Sequence, residues 1–133
     1  MEKITNIYVI AFSLLCHTIV NAGENSYDCK ITNVYTLSET GNLERSALST
    51  NFIGNTFTIQ KDTGEIQGEV LTTVLSNKTE VINLGSMENS YKSVAYFSGQ
   101  VQIVEVQEFK PGLTKPFVAS SMGGAGIVTG MCK

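Results

Sequence analysis

Catalysis and metal binding need side chains that move protons, attack or coordinate, and this chain of 133 residues has few of them in a useful pattern. Its one histidine, His17, lies in an apolar N-terminal stretch. Beyond residue 22 there is no imidazole. Ser-His-Asp and Cys-His nucleophile pairs are therefore excluded there, together with the commonest general base. Zinc and redox-metal sites lose their commonest ligand as well. Setting Glu2 aside from the twelve acidic residues leaves eleven carboxylates, from Glu24 to Glu108. A glycosidase needs two of these at a fixed separation across a cleft, one with a raised pKa, and spacing along a β-rich chain does not reveal such a pair. Glu105 has the most apolar surroundings, Val101-Gln102-Ile103-Val104-Glu105-Val106, and is expected on the solvent face of an edge strand.

Asp62-Thr63-Gly64 spells the active-site triplet of aspartic proteases, and residues 23–133 resemble one retroviral-type protease subunit in length. Those enzymes pair two aspartates that share a proton across a dimer. In that family an apolar strand precedes the triplet and a small residue follows it. Here Gln60-Lys61 precede and Glu65 follows, so the reading favoured by the residues is an exposed hairpin turn. Met122-Gly123-Gly124-Ala125-Gly126 is rich in glycine, but a phosphate loop opens onto a helix N-terminus. Ile127-Val128-Thr129 reads as strand instead, which makes the glycines a loop between the last two strands. Asn77-Lys78-Thr79 is a glycosylation sequon, of consequence only in a eukaryotic source.

Two further features concern compartment. Lys3 precedes an apolar run from Ile7 to Val20, followed by Asn21-Ala22. A basic start, a run of this length and a small residue at the junction make a secretory signal peptide, residues 1–22, cleaved after Ala22. His17 and Thr18 interrupt the run, which argues against a membrane span. Cys16 follows two leucines and lacks the small neighbour that lipidation requires. The exported chain, residues 23–133, keeps Cys29 and Cys132. In an oxidising compartment an isolated pair is most simply a disulfide. No C-x-x-C spacing or histidine suggests a redox or metal site. Such a bond makes the first and last strands neighbours.

The elements that must position these residues are mostly strands. Odd positions from Cys29 to Leu37 are largely apolar, as in a half-buried strand. Phe57–Gln60 and Glu65–Gly68 form a hairpin around Asp62, Thr63 and Gly64. Val81–Leu84, Tyr91–Phe97, Val101–Phe109, Phe117–Ala119 and Ile127–Cys132 follow, with a tight turn at Ser98-Gly99 or Gly99-Gln100. Residues 42–48 fit two helical turns at best, with Asn42 as cap, and Thr72 and Thr73 tilt residues 69–75 towards strand. Tyr35 and Tyr96 are expected in the core. The sum is one all-β domain of about seven or eight short antiparallel strands, a small barrel or sandwich, with its terminal strands joined by Cys29–Cys132.

The hairpin segment Phe57–Gly68, with Val104–Phe109, Lys115–Val118 and the closing Gly130-Met131-Cys132, resembles a group of small exported bacterial all-β proteins. That group is uncharacterised, so the resemblance implies export and a β fold and supplies no activity. The periplasmic lysozyme inhibitors are a poorer match, because Ser98-Gly99 is followed by Gln100, Val101 and Gln102 where their loop carries tyrosine.

Nine basic residues against twelve acidic ones give a net charge of −3, and the bases are scattered, which argues against nucleic acid. The expectation is an exported protein, periplasmic or secreted, that is not an enzyme and needs no cofactor. It would bind a protein or small ligand through its loops, and no membrane once the leader is gone. The candidate loops are Gly85-Ser86-Met87-Glu88-Asn89 and Lys110-Pro111-Gly112 onward to Lys115. A small barrel carrying an apolar ligand, and a carboxylate-dependent hydrolase, are the alternatives.

Overall fold

The computed structural model describes residues 25–121 and 126–133. The expected leader, residues 1–22 with cleavage after Ala22, and positions 122–125 of the glycine-rich segment lie outside the described residues. Nine strands appear: β1 (Ser26–Leu37), β2 (Leu43–Arg45), β3 (Thr56–Gln60), β4 (Ile66–Gly68), β5 (Lys78–Leu84), β6 (Tyr91–Phe97), β7 (Gln100–Val106), β8 (Lys115–Ser121) and β9 (Gly126–Cys132). One short helix, α1 (Ser49–Phe52), links β2 to β3. The sheet runs β4-β3-β1-β9-β8-β7-β6-β5, every pairing antiparallel, and β2 pairs with the end of β1. It curls into a half-barrel. First and last strands are neighbours, and Cys29 and Cys132 sit opposite one another in a disulfide, their Cα atoms 3.9 Å apart.

Strand parity decides what is buried. In β1 the odd residues Tyr27, Cys29 and Ile31 face inward; a bulge between Ile31 and Asn33 then shifts the phase, so Val34 is the next inward residue. This corrects the expectation for Tyr35, which the bulge leaves half-buried opposite Ile127. On β6 the inward set is Tyr91, Ser93 and Ala95, so Tyr96 falls on the outer face and is 38% exposed. The core tyrosines are Tyr27 and Tyr91. They pack with Phe57, Ile59, Ile66, Val104, Val106, Phe117 and Val128, and the Phe57 and Phe117 rings meet edge to face at 5.1 Å. Each large apolar side chain so buried contributes about 1.5–3 kcal/mol.

Two local expectations are also corrected. Residues 42–48 are not helical: Ser38 N–H donates to the Asn42 carbonyl in a turn, and Leu43–Arg45 then pairs with β1. Two isolated helical turns are too short to be stable, whereas pairing of Leu43–Arg45 with β1 satisfies the backbone directly. Residues 69–75 form no strand. Leu71 dips into the core, and Thr73 alone bonds to β4 through Ile66. Strand β7 also stops at Val106, short of Phe109, before a loop that reaches Lys115.

Candidate functional site

The end of the half-barrel where β1 begins and β9 finishes gathers three connections. These are the β3–β4 turn, the β5–β6 turn containing Gly85–Asn89, and the β7–β8 loop from Gln107 to Thr114. Glu108 joins them. Its carboxylate accepts a hydrogen bond from the Tyr27 hydroxyl of β1 and lies 3.8 Å from the Lys61 ammonium of the β3–β4 turn. Its side chain packs directly on Gly85, where an added Cβ would come within 2.8 Å of Glu108 Cγ. Its carbonyl accepts a hydrogen bond from Lys115 Nζ at 2.9 Å, and the same ammonium also donates to the Lys110 carbonyl. Both sequence-predicted loops are therefore anchored on one residue.

Beneath Glu108 lies a pair of tyrosines. The Tyr27 and Tyr91 rings meet edge to face at 5.2 Å, and the Lys61 ammonium sits 4.2 Å above the Tyr27 ring. Burial, then the hydrogen bond and charge of Glu108, push the Tyr27 phenol far above its ordinary range. Burial likewise raises Tyr91, with Asp62 adding to the rise and a hydrogen bond with Ser93 opposing it. Both phenols therefore stay protonated as donors, Tyr27 to Glu108 and Tyr91 to the Gln60 carbonyl at 3.3 Å. A buried, protonated phenol is a poor nucleophile, so the cluster reads as a fastener for the loops.

Above this fastened base the loop tips carry apolar side chains into solvent. Met87 is 92% exposed and Leu113 97%, with Phe109 also exposed in the longer loop. Within the β5–β6 turn, Ser86 Oγ accepts from the backbone N–H groups of Glu88 and Asn89, both at 3.1 Å. Pro111 and Gly112 lie in the exposed part of the longer loop, Gly112 with a positive φ.

Asp62, Thr63 and Gly64 form the turn between β3 and β4, with Asp62 exposed. Gly64 takes φ +74°, and an added Cβ would stand 3.0 Å from Ser93 Cβ and 3.4 Å from Val81. Gly64 therefore presses on β5 and β6 while Asp62 and Thr63 stay exposed. Glu105 is outward-facing on an interior strand, β7, rather than on an edge strand. Its carboxylate accepts from Ser90 at 2.7 Å and lies 3.8 Å from the Lys92 ammonium. Among the described residues no group of three or more His, Cys, Asp or Glu is placed to hold a metal ion.

Sequence reasoning missed Glu108, yet its signal was present. Gln102, Val104 and Val106 face inward on β7, and Glu108 continues their even parity past the strand end. Also unforeseen is a cleft of about 410 Å3 beside the open edge of the sheet, between Glu65-Ile66-Gln67 and Asn77-Lys78-Thr79. Comparison of the chain with family models, curated proteins and solved structures finds no match.

Proposed function

We propose that this is an exported, non-enzymatic recognition protein, periplasmic or secreted, that binds a partner protein through its loop end. The observation that carries the reading is the joining of the two loops at Glu108, with Met87 and Leu113 held out above a rigid, hydrogen-bonded base. Exposed methionine and leucine on a fixed support offer apolar surface that the core of a protein interface buries, while anchoring of the loops limits the entropy lost on binding. The disulfide is consistent with an oxidising compartment, and cleavage after Ala22 is part of the same proposal.

A ligand-carrying barrel is less well supported. The positions that would line its interior are filled by Tyr27, Ile59, Tyr91, Val104, Phe117 and their neighbours. The test is capture of partner proteins from the native compartment by wild-type protein and by the double variant Met87→Asp/Leu113→Asp. Both sites are exposed, so the variant should keep its far-UV circular dichroism while losing the specific partner. Undiminished capture by the variant would move the binding surface elsewhere.

A further inference from the structure

The half-barrel does not close by a strand ladder. β4 and β5 are the two ends of the sheet path, and the seam between them is bridged in two other ways. At one end Gly64 packs on Val81 and Ser93. At the other the chain itself crosses, with Ser76 N–H bonded to the Thr73 carbonyl and Asn77 N–H to the Tyr96 carbonyl at 2.7 Å. The 410 Å3 cleft occupies the space between these bridges. It is within the size range of small-molecule sites, about 300–1,000 Å3, and the two bridges bound it at both ends.

The two walls differ. On the β4 side the main chain is already satisfied at Ile66, whose N–H donates to Thr73 Oγ1 and whose carbonyl accepts from Thr73 N–H, both at 2.9 Å. On the β5 side, Lys78 to Val81 present a sheet edge with no ladder partner, and the bulge between Val81 and Asn83 ends its regular part. The charges are also unequal. The Lys78 ammonium is held by Glu80 at 3.1 Å, whereas the Glu65 carboxylate makes no ion pair or side-chain hydrogen bond among the described residues. The remaining lining is Gln67, Thr73, Ser76, Asn77 and Thr79, all hydrogen-bonding groups, with Ile66 and Val74 as apolar contacts.

We infer that this cleft captures the amino-terminal end of an extended peptide. The free amine would pair with Glu65, and the following one or two residues would add to the β5 edge at Thr79 by main-chain hydrogen bonds. A cleft bounded at both ends, with one open strand edge and one uncompensated carboxylate, fits a short cationic chain end. It fits neither an anion nor a continuous strand. This site is separate from the loop end and does not depend on the function proposed for it.

The test is a titration of the intact 15N-labelled protein with the peptide Val-Thr-Val-Thr amide, free at its N-terminus, and with its N-acetylated twin. The free peptide should shift the amides of Glu65–Gln67, Thr73 and Ser76–Thr79. Acetylation should weaken binding about fivefold, the upper end for an exposed ion pair. Glu65→Gln should abolish the difference between the twins. Equal binding of both twins to the wild type, shifts confined to other residues, or no shift at millimolar peptide would each overturn the inference. Concentration-dependent broadening of β5 amides without peptide would overturn it too, because a second copy would then occupy the edge.

Discussion

Glu108 shows how one side chain can set the geometry of a surface it barely reaches. Its carboxylate is held by Tyr27 and Lys61, and its backbone by Lys115, so the loops on either side start from a fixed point. Tyr27→Phe removes the donor and leaves the half-buried carboxylate with only the more distant lysine. A hydrogen bond to a charged group contributes about 1.5–3 kcal/mol, so urea denaturation should show a loss in that range with the slope unchanged. The same phenol makes stability depend on pH. An unfolded tyrosine ionises near 10.0, whereas folded Tyr27 and Tyr91 hold their protons higher. Above pH 10 the unfolded state binds fewer protons than the native one, so stability, level below that pH, falls as pH rises further. Equilibrium unfolding from pH 8 to 11 checks this, and Tyr27→Phe should flatten the fall.

At the scale of elements, the strands were largely legible because alternation survives in them. β3, β6, β7 and β9 begin or end within a few residues of the apolar runs that predict them. What defeated the reading was phase. The bulge after Ile31 cannot be seen in a run of alternating residues, and it alone turns Tyr35 outward. The segment 69–75 misled for a different reason: Val70 and Leu71 pack on the core while Val74 and Leu75 point to solvent, so its apolar content reflects no regular face. Asp62-Thr63-Gly64 was read as a turn from its composition, but its contact with β5 and β6 depends on strands distant in sequence. That contact predicts the cost of Gly64→Ala. The left-handed backbone alone costs about 1–2 kcal/mol, and the approach to Ser93 adds to it. A drop in denaturation midpoint larger than that of Gly99→Ala, whose Cβ would meet nothing, is the expected result.

For the whole molecule, closure is the governing feature. The sheet is continuous from β4 round to β5, with the disulfide at the β1–β9 junction near its middle and the seam opposite bridged by Gly64 and by the chain crossing at residues 73–77. Cys29 and Cys132 are separated by 103 residues, and closing a loop of that size stabilises by up to about 4.7 kcal/mol in the chain-entropy model. Cys29→Ala/Cys132→Ala should lose a large part of this, as should the reduced wild type; equal stability of oxidised and reduced protein would contradict the staple. The end-to-end pairing was readable from two cysteines, one near each end of the β-rich part of the chain. The meeting of the two loops was not: parity carried past the end of β7 turns Glu108 inward, but nothing in the sequence sets it against Gly85 of another loop.

The claim that recognition belongs to the loop end is tested most directly by site-specific photo-crosslinking in the producing cells. A photoreactive phenylalanine analogue would replace Met87 or Leu113 at the loop tips, or Val101 or Ile103, which are exposed apolar residues on the outer face of β7. The account predicts a discrete crosslinked partner from both loop positions and none from β7. Crosslinks from Val101 and Ile103 alone would place the binding surface on the outer sheet and contradict it.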